Sequence, residues 1–135
     1  MKLSGYNVAI TGGSGGIGSA LATGLLEDGA TVYNLDSVKP ADQNSNFIEV
    51  DLVDEGSVEK AFGRIEKLDA LIVSAGVQLV GSDSKIADVT LETWQRTLDV
   101  NMTGAFLSVK YAMPLLISSG RGSVVLIGSP TGMTM

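Results

Sequence analysis

A chain of 135 residues has the length of one domain, and with 44% hydrophobic against 18% charged residues it can bury a core and does not resemble a disordered chain. A formal charge of −6 with no Lys/Arg cluster argues against a nucleic-acid partner. Without Cys or His, disulfides, thiolate metal sites and the commonest general base are excluded, so no metal is expected and any acid–base chemistry must use other groups.

In chain order, the start Met1-Lys2-Leu3-Ser4-Gly5 lacks the apolar stretch and cleavage site of a secretory signal. No uninterrupted apolar run approaches the roughly 20 residues of a membrane span. A cytoplasmic setting without membrane contact is therefore the expectation. Val8–Thr11 reads as a buried strand running into the glycines between Gly12 and Gly18. Ile17, Leu21 and Leu25 then recur at helical spacing, and Asp28-Gly29 closes that helix. Thr31–Leu35 is a second strand, ending at Asp36. The polar segment from Val38 to Asn46, with Pro40, reads as a loop, and Phe47–Val50 as a third strand.

Asp54 opens a helix with Val58, Phe62 and Ile65 on one face, and Asp69–Val73 is a fourth strand. Gly76 to Asp88 is a loop with room for a short helical turn. From about Thr90 to Ile117 runs a long helical pattern with Trp94, Leu98, Ala105 and Val109 on one stripe. Pro114 removes a backbone donor there and is expected to kink it. Gly122 introduces the last strand, Ser123–Ile127.

Continuous apolar strands alternating with helices predict an α/β fold: a doubly wound parallel sheet of Rossmann type, covered on both faces. The whole of 1–135 reads as one dinucleotide-binding domain, truncated after the fifth strand. That ending would leave an open sheet edge and an uncovered apolar helix face, so a longer biological chain is expected.

The turn Thr11-Gly12-Gly13-Ser14-Gly15-Gly16-Ile17-Gly18 joins the first strand to the first helix. Glycine suits a tight turn that a pyrophosphate must approach, and the amides of a helix start favour its charge. Asp36 follows Gly18 by 18 residues, at a strand end. A carboxylate at that place accepts from adenosine ribose hydroxyls and repels a 2′-phosphate, which favours NAD(H) over NADP(H).

These residues resemble the short-chain dehydrogenase/reductase family. Thr11-Gly12-x-x-x-Gly16-Ile17-Gly18 is similar to its cofactor motif, and Asp51-Leu52 to its pair against the adenine ring. Ser74-Ala75-Gly76 stands where the family has Asn-Asn-Ala-Gly, with Val73-Ser74 replacing the two Asn. Asp99-Val100-Asn101 resembles the segment with the catalytic Asn, which shapes a proton relay, and Gly122 through Ser129 the fifth strand with the catalytic Ser, Ser129. Asn101 also falls on the apolar stripe, where a buried amide must find partners or cost roughly 1–3 kcal/mol. Gly12, Gly15 and Gly18 also fit the spacing of an epimerase-like branch, but Asn101-x-x-Gly104 and Ile127-Gly128-Ser129 favour the compact reductase branch.

The resemblance implies an NAD(H)-dependent oxidoreductase that interconverts a small-molecule alcohol and a carbonyl, assembled as a homo-oligomer (dimer or tetramer). The family's Tyr-x-x-x-Lys pair is missing: Tyr6, Tyr33 and Tyr111 have no Lys four residues on. Taken literally, the chain is then a dinucleotide-binding fragment or pseudoenzyme without turnover.

Overall fold

The computed structural model describes residues 3–41, 45–79 and 85–129. Five parallel strands form one sheet in the order β3-β2-β1-β4-β5. They are β1 (Asn7–Thr11), β2 (Thr31–Asp36), β3 (Asn46–Glu49), β4 (Ala70–Val73) and β5 (Ser123–Leu126). The helices are α1 (Gly16–Glu27), α2 (Glu55–Phe62), α3 (Leu91–Leu98) and α4 (Gly104–Ser119), the last two joined by a π-helical segment, Asp99–Thr103.

The central strands are buried on both faces, and alternation sorts their side chains. Val8, Ile10 and Val32 pack with Ala22, Leu21 and Leu25 of α1. Ala9, Leu35, Leu71 and Val73 face the other way, against Val58 and Phe62 of α2 and Leu107, Ala112 and Leu116 of α4. This is the doubly wound parallel sheet expected from the alternation of strands and helices. The chain winds outward from β1 through β2 to β3, then returns to β4 on the other side of β1.

Several boundaries differ from expectation. The third strand runs from Asn46 to Glu49 and not from Phe47 to Val50; Val50 is nonetheless buried, and its N–H donates to Asp36 O at 3.0 Å. The fifth strand ends at Leu126, although Ile127 N–H still donates to Val73 O at 3.0 Å. The helical turn expected within the Gly76–Asp88 loop lies at its end, where Asp88 and Val89 N–H donate to Lys85 O. Residues 42–44 and 80–84 of the two long loops lie outside the described residues.

Ile17 is 60% exposed and not part of the α1 core face, because the first turn of α1 overhangs the carboxyl edge of the sheet. On the long helix the expected stripe holds in part: Ala105 and Val109 pack against the core, but Trp94 is 50% exposed, and Thr93, Gly104, Leu107, Ser108, Ala112 and Leu116 are the buried positions. Small residues let the helix approach the sheet closely, and the Ser108 hydroxyl meets its own need by donating to Gly104 O at 2.6 Å. Pro114 does not interrupt α4; the departure from α-geometry is the π segment, which carries Asn101. By length and composition Leu91–Ser119 is apolar enough to cross a bilayer, although no uninterrupted apolar run marks it in the sequence. Here Leu107, Ala112 and Leu116 of its second half pack in the core beside β4.

At the amino end of the strands, Asp69 ties three segments together. Its side chain is 6% exposed and takes Arg121 Nε at 2.8 Å on Oδ1, with Arg121 Nη2 at 3.2 Å and Asn7 N–H at 2.8 Å on Oδ2. Arg121 also donates to Gly5 O at 2.7 Å and lies over the Tyr6 ring. The guanidinium holds the Asp69 carboxyl below its ordinary value, against the opposing effect of burial. A depressed folded-state value means stability present above the unfolded value, near 4, and lost as pH falls through the folded one. Asp69→Asn should lower the melting temperature by several degrees at neutral pH and flatten the loss of stability below about pH 4, checked by thermal unfolding across an acid pH series.

Candidate functional site

The strand ends set the site. Thr11 of β1 is in register with Leu35 of β2 and Val73 of β4, so three chain exits lie level and adjacent. The first exit turns sharply. Gly12 has φ of +69°, and its carbonyl accepts from Gly15 N–H at 3.1 Å. A Cβ on Gly12 would stand 2.7 Å from Ala75 Cα, and one on Gly18 would collide with the Gly12 carbonyl oxygen, so both positions require glycine.

Gly15 caps α1 without a side-chain acceptor, and the first turn carries no acidic residue. The amides of Gly16, Ile17 and Gly18 therefore have no helix carbonyl to bond, and they stand at the positive end of the helix dipole. These three residues line a cleft of about 380 Å³ along the carboxyl edge of the sheet.

The second exit supplies an acid. Asp36 Oδ2 accepts from Ser14 N–H at 2.9 Å and Oδ1 from Val38 N–H at 3.0 Å. Each oxygen keeps a lone pair for a further donor. The Ser14 hydroxyl is turned away from the cleft lining: it donates to Val38 O at 2.5 Å and accepts from Asn34 Nδ2 at 3.1 Å.

The third exit, Ser74-Ala75-Gly76-Val77, is pinned from two sides. Thr11, fully buried, accepts from Ser74 N–H on its carbonyl at 3.2 Å and from Ala75 N–H on its hydroxyl at 3.4 Å. From the π segment, Asn101 Oδ1 accepts Val77 N–H at 2.8 Å and Nδ2 donates to Val77 O at 3.0 Å. The loop after β3 adds Asp51 and Leu52; Asp51 Oδ1 accepts from Val53 N–H at 3.1 Å.

The structure thus gathers Gly12, Gly15, Gly16, Ile17, Gly18, Asp36, Asp51, Leu52, Ser74, Ala75 and Gly76 around one cleft. Thr11, Ser14 and Asn101 stand behind it as supports, each bonded to backbone of a wall segment. Ser129 is exposed, beyond the carboxyl end of β5 and so on the same edge of the sheet. Sequence reasoning missed Ser37, Val50, Val53, Val77, Arg96 and Val100, which also line the cleft. Arg96 and Val100 are four residues apart across the end of α3, a spacing that places them on one helix face, yet nothing local says which face meets the cleft.

Residues 6–135 match the sequence pattern of the short chain dehydrogenases. The chain belongs to the short-chain dehydrogenase family. It is 35% identical to Short-chain dehydrogenase reductase 5 of Arabidopsis thaliana, over 96% of this chain and 55% of that protein. It is 33% identical to 2,3-dihydro-2,3-dihydroxybenzoate dehydrogenase of Escherichia coli, over 99% of this chain and 55% of the relative. Among solved structures, a short chain dehydrogenase from Leptospira borgpetersenii with bound NAD+ superposes with a TM-score of 0.90 at 29% identity, covering 99% of this chain and 55% of that one. The ligand-free aldohexose dehydrogenase of Thermoplasma acidophilum superposes at 0.88 with 30% identity, over 94% of this chain and 50% of that one. This short-chain dehydrogenase chain spans about half the length of these relatives.

In this family member, Asn101→Ala should free both backbone groups of Val77. The expected result is hydrogen exchange at the Val77 amide about tenfold faster or more, by the cost of an unmade buried bond, with exchange in β1 unchanged.

Proposed function

We propose that this cleft binds NAD(H), and that the protein is an oxidoreductase interconverting an alcohol and a carbonyl of a small molecule. One observation carries this most: Gly16, Ile17 and Gly18, whose amides at the start of α1 have no helix carbonyl to bond, line the same cleft as Asp36. An anion is favoured at the first group and hydroxyl donors at the second, which is the chemistry of a pyrophosphate joined to a ribose. The fit is supported by the turn itself, where the absence of a Cβ at Gly12 and Gly18 keeps backbone open to close approach. The NAD+ held by the Leptospira relative supports it too.

In this proposal the α1 amides hold the pyrophosphate, Asp36 accepts from the adenosine ribose, and Asp51-Leu52 lie against the adenine. Ser74-Ala75-Gly76 form the wall under the remainder. NAD(H), when bound, supplies the hydride exchange with the substrate carbon. Ser129 would orient the substrate oxygen. Asn101, by holding Val77, keeps the wall in place next to the proton relay to which it contributes. Proton movement at that oxygen needs an acid–base side chain, worth about 10²–10⁴ in rate. Within these 135 residues, Tyr6, Tyr33 and Tyr111 are followed four residues later by Ile10, Ser37 and Leu115, never by Lys. That observation favours cofactor binding without turnover for the chain as it stands. Assembly as a homo-oligomer is supported by the exposed Phe106, Met113 and Ile117 of α4.

Calorimetric titration tests the binding. NAD+ should bind more tightly than NADP+, and Asp36→Asn should weaken NAD+ about tenfold, the loss of one charge-assisted bond, without weakening NADP+. Tighter NADP+ than NAD+ in the parent protein would sink the cofactor assignment. Turnover of an alcohol panel by the 135-residue chain alone would sink the reading without catalysis.

A further inference from the structure

Asn34 lies on β2 two residues before Asp36 and is 1% exposed. By strand alternation it shares the face of Val32, which packs toward α1. An amide at such a place costs stability unless it is used, and an aliphatic side chain would fill the strand position without that cost. Here the amide is used on the glycine turn. Nδ2 donates to Ser14 Oγ at 3.1 Å, and Ser14 Oγ donates to Val38 O at 2.5 Å. Oδ1 has no hydrogen-bond partner among the described residues and rests against Gly13, where a Cβ would collide with it.

The side chain therefore fills the space beneath the turn and links it to the loop after Asp36. The same Ser14 presents its N–H to Asp36 Oδ2 at 2.9 Å. The anion-binding turn and the acid belong to different chain exits, and Asn34–Ser14–Val38 is a further tie between them besides that bond and the one from Gly12 N–H to Leu35 O at 2.9 Å.

We infer that Asn34 is a positioning residue for the cofactor: it fixes the separation between the α1 amides and the Asp36 carboxylate, so that one ligand meets both at once. This role presupposes that the cleft is the NAD(H) site. A ligand spanning two preset groups loses less freedom on binding than one that must order them. Removal of the tie should then weaken binding mainly through misalignment with Asp36. A residue that merely stabilises the domain would weaken it equally with or without that carboxylate.

A double-mutant cycle on NAD+ affinity separates the two, using Asn34→Ala, Asp36→Asn and their combination, with melting temperatures recorded alongside. Asn34→Ala is expected to weaken NAD+ about tenfold in the parent protein and about twofold or less where Asp36 is already Asn. Equal losses in both backgrounds overturn the inference. Should the void left by Asn34→Ala prevent folding, Ser14→Ala breaks the same link with Asn34 in place, and the same shrinkage beside Asp36→Asn is expected; additivity there overturns it as well. Failure of the parent protein to bind NAD+ would remove the cofactor assignment and this role with it. Binding by the parent protein with additive variants removes this role alone.

Discussion

The level ends of β1, β2 and β4 are the constraint on which the site depends. Thr11 stands between Leu35 and Val73 in a parallel sheet, so three loops with different chemistry leave the sheet side by side. One brings bare helix amides, one a carboxylate, one a stretch of backbone. The chain winds to β2 on one side of β1 and to β4 on the other, so connections cover opposite faces and leave a crevice between these exits. The glycine turn is the consequence: the backbone must reverse against Ala75 on one side and let α1 begin on top of Gly12, which no side chain at Gly12 or Gly18 would permit.

Loops at such an edge would be mobile if only their own backbones held them. Here buried or half-buried polar side chains do so. The Thr11 hydroxyl bonds the amide of Ala75, Asn101 both backbone groups of Val77, and Asn34 the hydroxyl that ties Ser14 to Val38. Each such group would be costly if unpaired, so the loop positions that pair it are strongly preferred. At the opposite edge, Asp69 and Arg121 hold the strand starts by the same means with charge added. The exposed ion pair of Lys110 with Glu55 links α4 to α2 but is solvated and contributes little.

The long helix shows where pattern reading fails physically. Hydrophobicity marked Trp94, Leu98, Ala105 and Val109 as the inward stripe; Ala105 and Val109 do pack against the core, but Trp94 is half exposed, and the buried positions are Thr93, Gly104, Leu107, Ser108, Ala112 and Leu116. Large and small side chains share that buried face, Leu107 and Leu116 beside Gly104, Ser108 and Ala112, while Trp94, Met102 and Phe106 are turned outward. The π segment has no sequence signal of its own, although it carries the Asn101 that the sequence had singled out.

The sequence by itself determined what is local: the strand–turn–helix beginning, the need for glycine in the turn, the acid at the end of the second strand, and the alternation that makes a doubly wound sheet. Each is signalled by neighbours within a few residues, where backbone sterics and hydrophobic period act, although the wall that Gly12 must clear, Ala75, is supplied from afar. The tertiary structure decided what depends on distant residues meeting. Ile17 overhangs the cleft instead of entering the core, Arg96 and Val100 reach the cleft wall, Asn101 finds Val77, and Asn34 finds Ser14. Those pairings span about 20 to 24 residues or more, and only strand register and helix placement, set by packing across the whole sheet, bring them into hydrogen-bond range.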